Sequence, residues 1–206
     1  MTTFANPQAT WNQRFASDGF LFGEEPNQYL SAQLHHLKLG NTLAIADGEG
    51  RNSVWLAKQG LHVDAFDFAP NAIEKAKHLA HKHSVSVSFS CTDWQSFEWK
   101  PAHYDNIVGV FFQFAGPQDR ADLFARMDAS LKPGGVLLIQ GYTAAQLKFN
   151  TGGPGKLDHL YDETLLTSAF AQYKVLDMQT YEAEIHEGTA HSGMSGLIGF
   201  TAQKPL

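Results

Sequence analysis

The stretch Leu43-Ala-Ile-Ala-Asp-Gly-Glu-Gly-Arg-Asn52 joins a short apolar run to two closely spaced glycines, and a helix-forming run, Ser53–Lys58, follows directly. Glycines in a strand-to-helix turn let the backbone approach a ligand, because no Cβ stands in the way. The first N–H groups of the helix are free to bind a polar or anionic group. The next apolar run, Leu61–Phe66, ends on Asp67, which lies about 20 residues after Gly48 and can bind both hydroxyls of a ribose. The pattern therefore predicts a site for an adenosine-containing cofactor.

Composition and charge narrow the class of protein. The chain has 206 residues, a formal net charge of −6 and one cysteine, Cys91. The length predicts a single α/β domain over residues 1–206, and the acidic charge argues against nucleic acid as a partner. One cysteine allows no internal disulfide, so we expect a reducing, cytoplasmic location. We expect neither a secretory leader nor a membrane span, because the sequence shows no leader pattern and no apolar run near the required length.

Predicted strands and helices alternate along the chain, which is typical of a mostly parallel sheet. We expect a Rossmann-like α/β fold with seven strands, helices on both faces and an antiparallel hairpin at the end. The hairpin is expected because the last two strands, Tyr173–Glu184 and Ser195–Gln203, are joined only by the loop Ile185–Met194. The other predicted strands are Thr42–Ala46, Leu61–Asp67, Val85–Cys91, Tyr104–Val110 and Val136–Gly141.

The first 40 residues stand apart from this alternation. We expect residues 1–40 to form an N-terminal helical lid over a Rossmann-like core of residues 41–206. The lid contains Trp11-Asn-Gln-Arg-Phe15 and Phe22-Gly-Glu-Glu-Pro-Asn27, followed by a predicted helix over 28–38. Its aromatic residues predict a closed, apolar pocket at the end of the sheet where open α/β folds bind ligands.

Two classes of protein use a glycine-rich turn of this kind, the nicotinamide-dependent oxidoreductases and the methyltransferases. The dinucleotide pattern calls for a third glycine, and Ser53 stands in its place, so that pattern is incomplete. Asp93-Trp94 after the third strand, Tyr104–Val108 as a fourth strand and Leu131-Lys-Pro-Gly-Gly-Val136 before a fifth favour the methyltransferase interpretation.

At these residues the chain resembles the class I S-adenosylmethionine-dependent methyltransferases. Asp47-Gly-Glu-Gly-Arg-Asn52 and the two lid motifs are similar to the small bacterial enzymes grouped with the tellurite-resistance and thiopurine-type methyltransferases. The resemblance implies S-adenosyl-L-methionine as cofactor and a small molecule, a thiol, a chalcogen or a similar group, as methyl acceptor.

The resemblance also implies roles for particular residues. Gly48 and Gly50 would face the methionine part of the cofactor, and Asp67 would hold the ribose hydroxyls. The remaining implied contacts are with the adenine (Phe68, Asp93, Trp94), beside the sulfonium (Phe111, Gln113) and from the lid (Trp11, Arg14, Phe15).

One departure from the family pattern bears on cofactor binding. The family usually has an acidic residue and a glycine where this chain has Ala44 and Ala46. We hypothesise that Asp47 supplies the missing negative charge. If it does not, the alternative is a non-catalytic protein that binds an adenosyl cofactor.

The catalytic residues stay open at this point. A hard acceptor needs a base nearby, and histidine titrates near neutral pH. The candidates are Arg14, Tyr142, Tyr161, His159, His186 and His191, with the three histidines expected on solvated loops. No metal is expected, since the His78, His81 and His83 series is more typical of a solvated helix face than of a zinc site. Cys91 is expected to be a small buried side chain.

Overall fold

The computed structural model describes residues 6–206. Seven strands form one sheet in the order β3-β2-β1-β4-β5-β7-β6. The strands β1 to β5 run parallel, and β7 pairs antiparallel with both β5 and β6. The predicted fold class is therefore confirmed. The strand bounds are Asn41–Ile45 (β1), His62–Asp67 (β2), Val87–Cys91 (β3), Tyr104–Val110 (β4), Leu131–Tyr142 (β5), Lys174–Glu187 (β6) and His191–Gln203 (β7).

Seven α-helices and two short 3₁₀ turns surround the described part of this sheet. Proline occupies an early position in α1, α4 and α5, where a missing N–H costs nothing. The predicted helix over 28–38 is shorter, since it breaks at Gln33 and continues as a 3₁₀ turn. The helices are Pro7–Arg14 (α1), Gln28–Ala32 (α2), Arg51–Lys58 (α3), Pro70–Lys82 (α4), Pro117–Ser130 (α5), Gln146–Phe149 (α6) and Glu163–Ala169 (α7), with 3₁₀ turns at Leu34–His36 and Leu157–His159.

The core lies on both faces of the sheet, as a parallel sheet requires. Leu43 and Ile45 of β1 pack into one cluster, which includes α5 and α7 residues. Ala44, between them, points to the other face and packs with Val63 and Val108. With both faces covered, the carboxyl edge of the parallel strands is left as the place for a ligand.

The terminal hairpin is longer than the sequence predicts. The predicted loop Ile185–Met194 shrinks to the three residues after Glu187, which pairs directly with His191. Gly188 makes the tight turn with φ +64°, and the backbone N–H groups of Thr189 and Ala190 both donate to Leu21 O. The tip is ordered by the lid segment, a long-range contact that a local pattern does not reveal.

The expectation that Cys91 is buried is wrong, since its side chain is exposed. It ends β3, which is the edge strand of the sheet, so alternate residues of this strand face solvent. Residues 1–5 of the predicted lid lie outside the described residues. Among residues 6–206, the structure contains no helix that is both long and apolar enough to cross a membrane.

Candidate functional site

The glycine turn after β1 is fixed by the carboxylate at the end of β2. Gly48 and Gly50 have φ of +59° and +89°, the left-handed region that glycine adopts without strain. Gly48 N–H donates to Asp67 Oδ2 at 3.0 Å, and Ala69 N–H donates to Asp67 Oδ1 at 2.9 Å. Asp67 is only 5% exposed. The structure therefore brings the two predicted glycines and the predicted ribose-binding residue together.

Gly50 is also required by helix packing. A Cβ at this position would lie 2.7 Å from Ala76 Cβ and 2.9 Å from Ala76 Cα. The turn and α3 thus pack directly on α4, which follows the strand that carries Asp67. Any larger residue at position 50 would push these two helices apart.

Asp47 has a contact that the sequence analysis did not foresee. Its Oδ1 accepts from Ser53 N–H at 3.3 Å and its Oδ2 accepts from Ser53 Oγ, so it caps the first turn of α3. Burial raises the pKa of Asp47 to about 7, and burial likewise raises that of Asp67 to about 6. Two carboxyl groups that titrate near neutrality beside one turn favour a cationic ligand, which would stabilise both charged forms.

The lid lies over this turn. Phe15 is 3% exposed, and its ring lies 3.6 Å from where a Gly48 Cβ would stand. Trp11 stacks on Phe15 with ring centroids 5.6 Å apart, and the Arg14 guanidinium lies 4.2 Å from the Trp11 ring. Phe68 packs with the same group. The structure thus places all four of these predicted residues around the turn.

A second part of the lid, residues 17–21, is held by hydrogen bonds to two charged side chains. Glu49, inside the glycine turn, accepts from Leu21 N–H at 2.7 Å and from Lys75 Nζ at 2.8 Å. Lys75 also donates to Ser17 O and Gly19 O. The turn therefore holds the lid backbone directly, between α1 and α2.

Asp93 and Trp94 follow the neighbouring edge strand β3. Asp93 is exposed, and its Oδ1 accepts from the N–H groups of Gln95 and Ser96 at 3.0 and 2.7 Å. Trp94 packs partly buried on the core, with the Arg126 guanidinium 5.6 Å from its ring. In these positions Asp93 holds the loop after β3, and Trp94 packs beneath it.

Phe111 and Gln113 leave the end of β4. Phe111 has φ +54°, a conformation that is strained for a residue with a side chain, and it stacks on Tyr142 at 4.6 Å. The Gln113 amide donates to the backbone oxygens of Tyr142 and His159, while its oxygen accepts from Tyr142 N–H. Gln113 therefore links the end of β4 to β5, and both the nitrogen and the oxygen of its side-chain amide are hydrogen-bonded.

The hairpin tip adds a buried ionic cluster. Glu187 Oε2 accepts from Arg51 Nη2 at 2.8 Å, and Glu187 Oε1 accepts from Asn27 Nδ2 at 2.9 Å. His191 Nδ1 lies 3.4 Å from the same Oε2. Burial alone would raise the pKa of Glu187, but His191 and Arg51 lower it to about 2. The cluster joins the lid, α3 and the hairpin. Sequence reasoning missed Glu187, Arg51 and Asn27, and the only signal was the spacing of Glu187 and His191.

The three histidines expected on solvated loops do not share one environment. His191 lies buried on β7, in ring contact with Phe22 at 4.4 Å and Phe111 at 4.7 Å. His159 is half-buried beside Gln113 O, and the side chain of His186 is 71% exposed on β6. The expectation is therefore wrong for His191, because the long hairpin carries it under the lid.

The two tyrosine candidates also separate. Tyr142 is 2% exposed and contacts both Phe111 and His191. Tyr161 is equally buried but packs in the main core beside Phe112 and Phe124. Tyr142 belongs to the candidate site, whereas Tyr161 serves the core.

A cavity of about 190 Å³ lies elsewhere. It opens at the amino-terminal ends of β1, β2 and β3, the opposite edge of the sheet, and it contains no predicted site residue. Its lining residues include Asn41, His62, Asp64, Ser88 and His103. At the candidate site, Phe15 and Phe22 of the lid pack in one cluster with Ala69 and Ala72.

Comparison with known families gives the class of this domain. Residues 43–135 match the family described as "Methyltransferase domain". Over these residues, the chain is similar to that family. The matched part begins in β1 and ends at the start of β5, so it contains the glycine turn and Asp67.

The chain is also similar to curated proteins. The chain is 29% identical over 115 residues to a carboxy-S-adenosyl-L-methionine synthase of Geobacter sp. (strain M21), covering 54% of this chain and 46% of that protein. It spans less than half the length of the curated relatives it matches.

Solved structures share the whole architecture. The N-methyltransferase NodS from Bradyrhizobium japonicum WM9, determined with S-adenosyl-L-homocysteine, gives a TM-score of 0.73 at 18% identity, covering 98% of this chain and 100% of that one. TehB from Haemophilus influenzae gives 0.70 at 18% identity, covering 96% and 66%. The predicted likeness to class I methyltransferases is thereby confirmed, and at this identity the structures establish the fold.

Proposed function

We propose that this methyltransferase domain binds S-adenosyl-L-methionine and transfers its methyl group to a small-molecule acceptor. The observation that carries the proposal is the pair of contacts from Gly48 and Ala69 to the buried Asp67 carboxylate. They hold a ribose-binding acid beside a glycine turn at the carboxyl edge of the sheet, the place where this fold class binds cofactors. NodS, which shares the fold, was determined with S-adenosyl-L-homocysteine.

The residues around the turn fit this cofactor. Asp67 would hold the ribose, and Gly48 and Gly50 would lie against the methionine part. The raised pKa values of Asp47 and Asp67 suit a ligand that carries positive charge. Further contacts would come from the lid (Trp11, Phe15), from the adenine side (Phe68, Asp93, Trp94) and from the end of β4 (Phe111, Gln113).

When bound, the cofactor supplies an activated methyl group, and the protein supplies position and electrostatics. Phe15 and Phe22 exclude water from the pocket, because they cover the turn with apolar surface. Since Phe15 lies over Gly48, entry of the cofactor requires α1 to move. Phe111, with its strained backbone, would form the surface of the site that faces the lid.

The acceptor is small in this proposal, since the chain carries a net charge of −6 and the aromatic lid residue Phe15 lies over the glycine turn. A thiol or a chalcogen remains the proposed acceptor type. A cytoplasmic location also remains a prediction from the single cysteine.

The test is calorimetric titration of the protein with S-adenosyl-L-methionine, S-adenosyl-L-homocysteine and NADH. We expect micromolar binding of the two sulfur compounds and no binding of NADH. The variant Asp67→Asn should weaken binding at least about tenfold, because a charged hydrogen-bond acceptor is lost. The matched variant Asp122→Asn, on the exposed face of α5, should bind like the wild type.

Binding of NADH instead of the sulfur compounds would replace the proposal with an oxidoreductase. Equal affinity of Asp67→Asn and the wild type would remove Asp67 from the site. Either result contradicts the assignment directly.

One observation favours a second candidate, a non-catalytic adenosyl-binding protein. Ala46 has φ +48° where the family has glycine, and Ala44 is buried in the core where the family has an acid. A protein that binds the cofactor but methylates no acceptor in a screen of thiols, phenols, amines and chalcogen oxyanions would support this alternative.

A further inference from the structure

Four rings meet under the lid around one polar atom. Tyr142 Oη is buried and has no hydrogen-bond partner among the described residues. The Tyr142 ring contacts the rings of Phe111 and His191, and His191 also contacts Phe22. A Cβ at Gly152 would lie 3.1 Å from Tyr142 Oη and 3.6 Å from His191 Cδ2. A buried hydroxyl without a partner is costly, so it marks a position that a polar atom of a ligand would satisfy.

The Glu187 carboxylate sets the tautomer of His191. A carboxylate only accepts hydrogen bonds, so the 3.4 Å contact with His191 Nδ1 requires the proton on Nδ1. In the neutral ring, Nε2 then carries a lone pair. His191 is therefore oriented as a proton acceptor, with Glu187 behind it.

Burial is the main reason that the His191 ring favours its neutral form. Burial lowers the pKa of His191, and Glu187 on β6 opposes this, while Arg51 on α3 and Arg14 on α1 lower the pKa further. Tyr142 on β5 stays protonated, because burial raises the pKa of its hydroxyl. Arg51 also neutralises Glu187, so the cluster carries no surplus negative charge.

We propose that His191 Nε2 accepts the proton of the methyl acceptor, with Tyr142 Oη hydrogen-bonded to the acceptor atom and Glu187 as the positioning residue. This inference rests on the proposed methyltransferase function. The acceptor's X–H proton goes to Nε2, the acceptor's electron pair forms the new bond to the methyl carbon, and the electron pair of the broken carbon–sulfur bond stays on sulfur. The imidazolium that results is stabilised by Glu187.

This arrangement specifies the acceptor class. A base is needed by an acceptor that arrives neutral and must lose a proton, whereas an oxyanion needs none. An ammonium group is disfavoured, because Arg14 and Arg51 contribute positive charge and the Glu187 oxygens already have partners. The aromatic enclosure suits a flat apolar body. The acceptor is therefore a small aromatic molecule whose hydroxyl or thiol is still protonated at the working pH.

The first test compares acceptors of different acidity. Methyl transfer from S-adenosyl-L-methionine to phenol and to 4-nitrothiophenol, which is ionised at the assay pH, is measured for the wild type and His191→Asn. We expect kcat for phenol to fall about 100-fold or more, as for loss of a general base, while kcat for the ionised thiol changes only a few-fold. The affinity for S-adenosyl-L-homocysteine should stay the same. The control is His62→Asn, at the opposite edge of the sheet.

Glu187→Gln tests the positioning role. Loss of the negative charge lowers the pKa of His191, so the rising limb of the kcat profile for phenol should move to lower pH and kcat should fall with KM little changed. An equal loss on both acceptors, or an unshifted profile, would show a structural role and overturn the proposal.

A second test needs no turnover. In the intact protein with S-adenosyl-L-homocysteine, the ¹⁵N chemical shifts of His191 at pH 7.5 should show a protonated Nδ1 and an unprotonated Nε2. A charged ring or the opposite tautomer contradicts the proposal even if no acceptor is ever methylated. Failure of the cofactor to bind, by contrast, would refute the proposed function and leave the tautomer measurement standing.

Discussion

The two sides of the candidate site are built in different ways. The cofactor side depends on a local relation, since Gly48 and Asp67 are separated by 19 residues and joined by one hydrogen bond. The hairpin side depends on a distant one, since Arg51 and Glu187 are separated by 136 residues. The first side follows from the order of strand, turn and strand in any parallel sheet, whereas the second exists only when the lid, α3 and the hairpin have all folded together.

This difference predicts that damage to the two sides will have different consequences. Substitutions on the cofactor side should mainly weaken ligand binding, because the sheet holds the backbone of this side in place. Substitutions on the hairpin side should lower both the unfolding free energy and the rate of proton transfer, because the polar groups of this side are held mainly by one another.

The largest expected effect is on the hairpin side. Glu187→Ala leaves the buried Arg51 without its charged partner, although Arg51 still donates to Phe22 O. Removal of one member of a buried ion pair costs about 3–5 kcal/mol of unfolding free energy. Denaturant titration measures it. The matched variant is Glu184→Ala on the same strand, whose exposed side chain faces only His186, and it should change stability by less than about 0.5 kcal/mol. If both variants lose the same unfolding free energy, the buried cluster stabilises the fold no more than an exposed ion pair does.

The next effect separates packing from backbone strain on the cofactor side. Gly50 and Gly60 share φ +89°, but a Cβ at Gly50 would lie 2.7 Å from Ala76 Cβ while a Cβ at Gly60 would meet nothing within 4 Å. Gly60→Ala should therefore cost about 1 kcal/mol, from the backbone alone. Gly50→Ala should cost about 2 kcal/mol more, from overpacking between α3 and α4.

Both variants are read out by denaturant unfolding. Similar losses would mean that α4 moves away freely and that the turn tolerates a side chain. In that case the sequence pattern at Gly50 would have to be explained by the ligand alone.

The same contrast explains what the sequence could predict. Gly48, Gly50 and Asp67 were found because each occupies a fixed place relative to a strand end, where only certain residues fit. Glu187 was not found, because a single glutamate in a polar, alternating stretch gives no sign that it is buried by Phe22 and Asn27 from the lid. Cys91 was assigned to the interior because strand order, and hence the edge position of β3, is a property of the whole sheet.

A smaller effect tests whether Tyr142 is kept for a ligand. Its hydroxyl has no partner in the described structure, so Tyr142→Phe should raise the unfolding free energy by about 1 kcal/mol while lowering methyl transfer. Tyr104→Phe is the matched control, since that equally buried hydroxyl donates to Asp64 at 3.0 Å and its loss should cost about 1 kcal/mol. Destabilisation by both variants would indicate that water already satisfies Tyr142.

The smallest effect is the pH dependence of stability near the glycine turn. The pKa of Asp47 is raised to about 7 from 3.8, so between pH 5 and 7 the folded state binds more protons than the unfolded chain. The contribution of Asp47 to stability is therefore present at low pH and lost as the pH rises.

His191, with a lowered pKa, acts in the opposite sense, and Glu187 is ionised in both states above about pH 5. Asp67, whose pKa is also raised, acts in the same sense as Asp47. Asp47→Asn removes the contribution of Asp47 together with the repulsion between the two carboxylates, so the difference in unfolding free energy between variant and wild type should change by about 0.5–1 kcal/mol per pH unit, below the limit for one proton. If the difference in unfolding free energy stays constant between pH 5 and 7, Asp47 is ionised throughout this range. The negative charge of Asp47 would then be present before the cofactor binds, rather than form on binding.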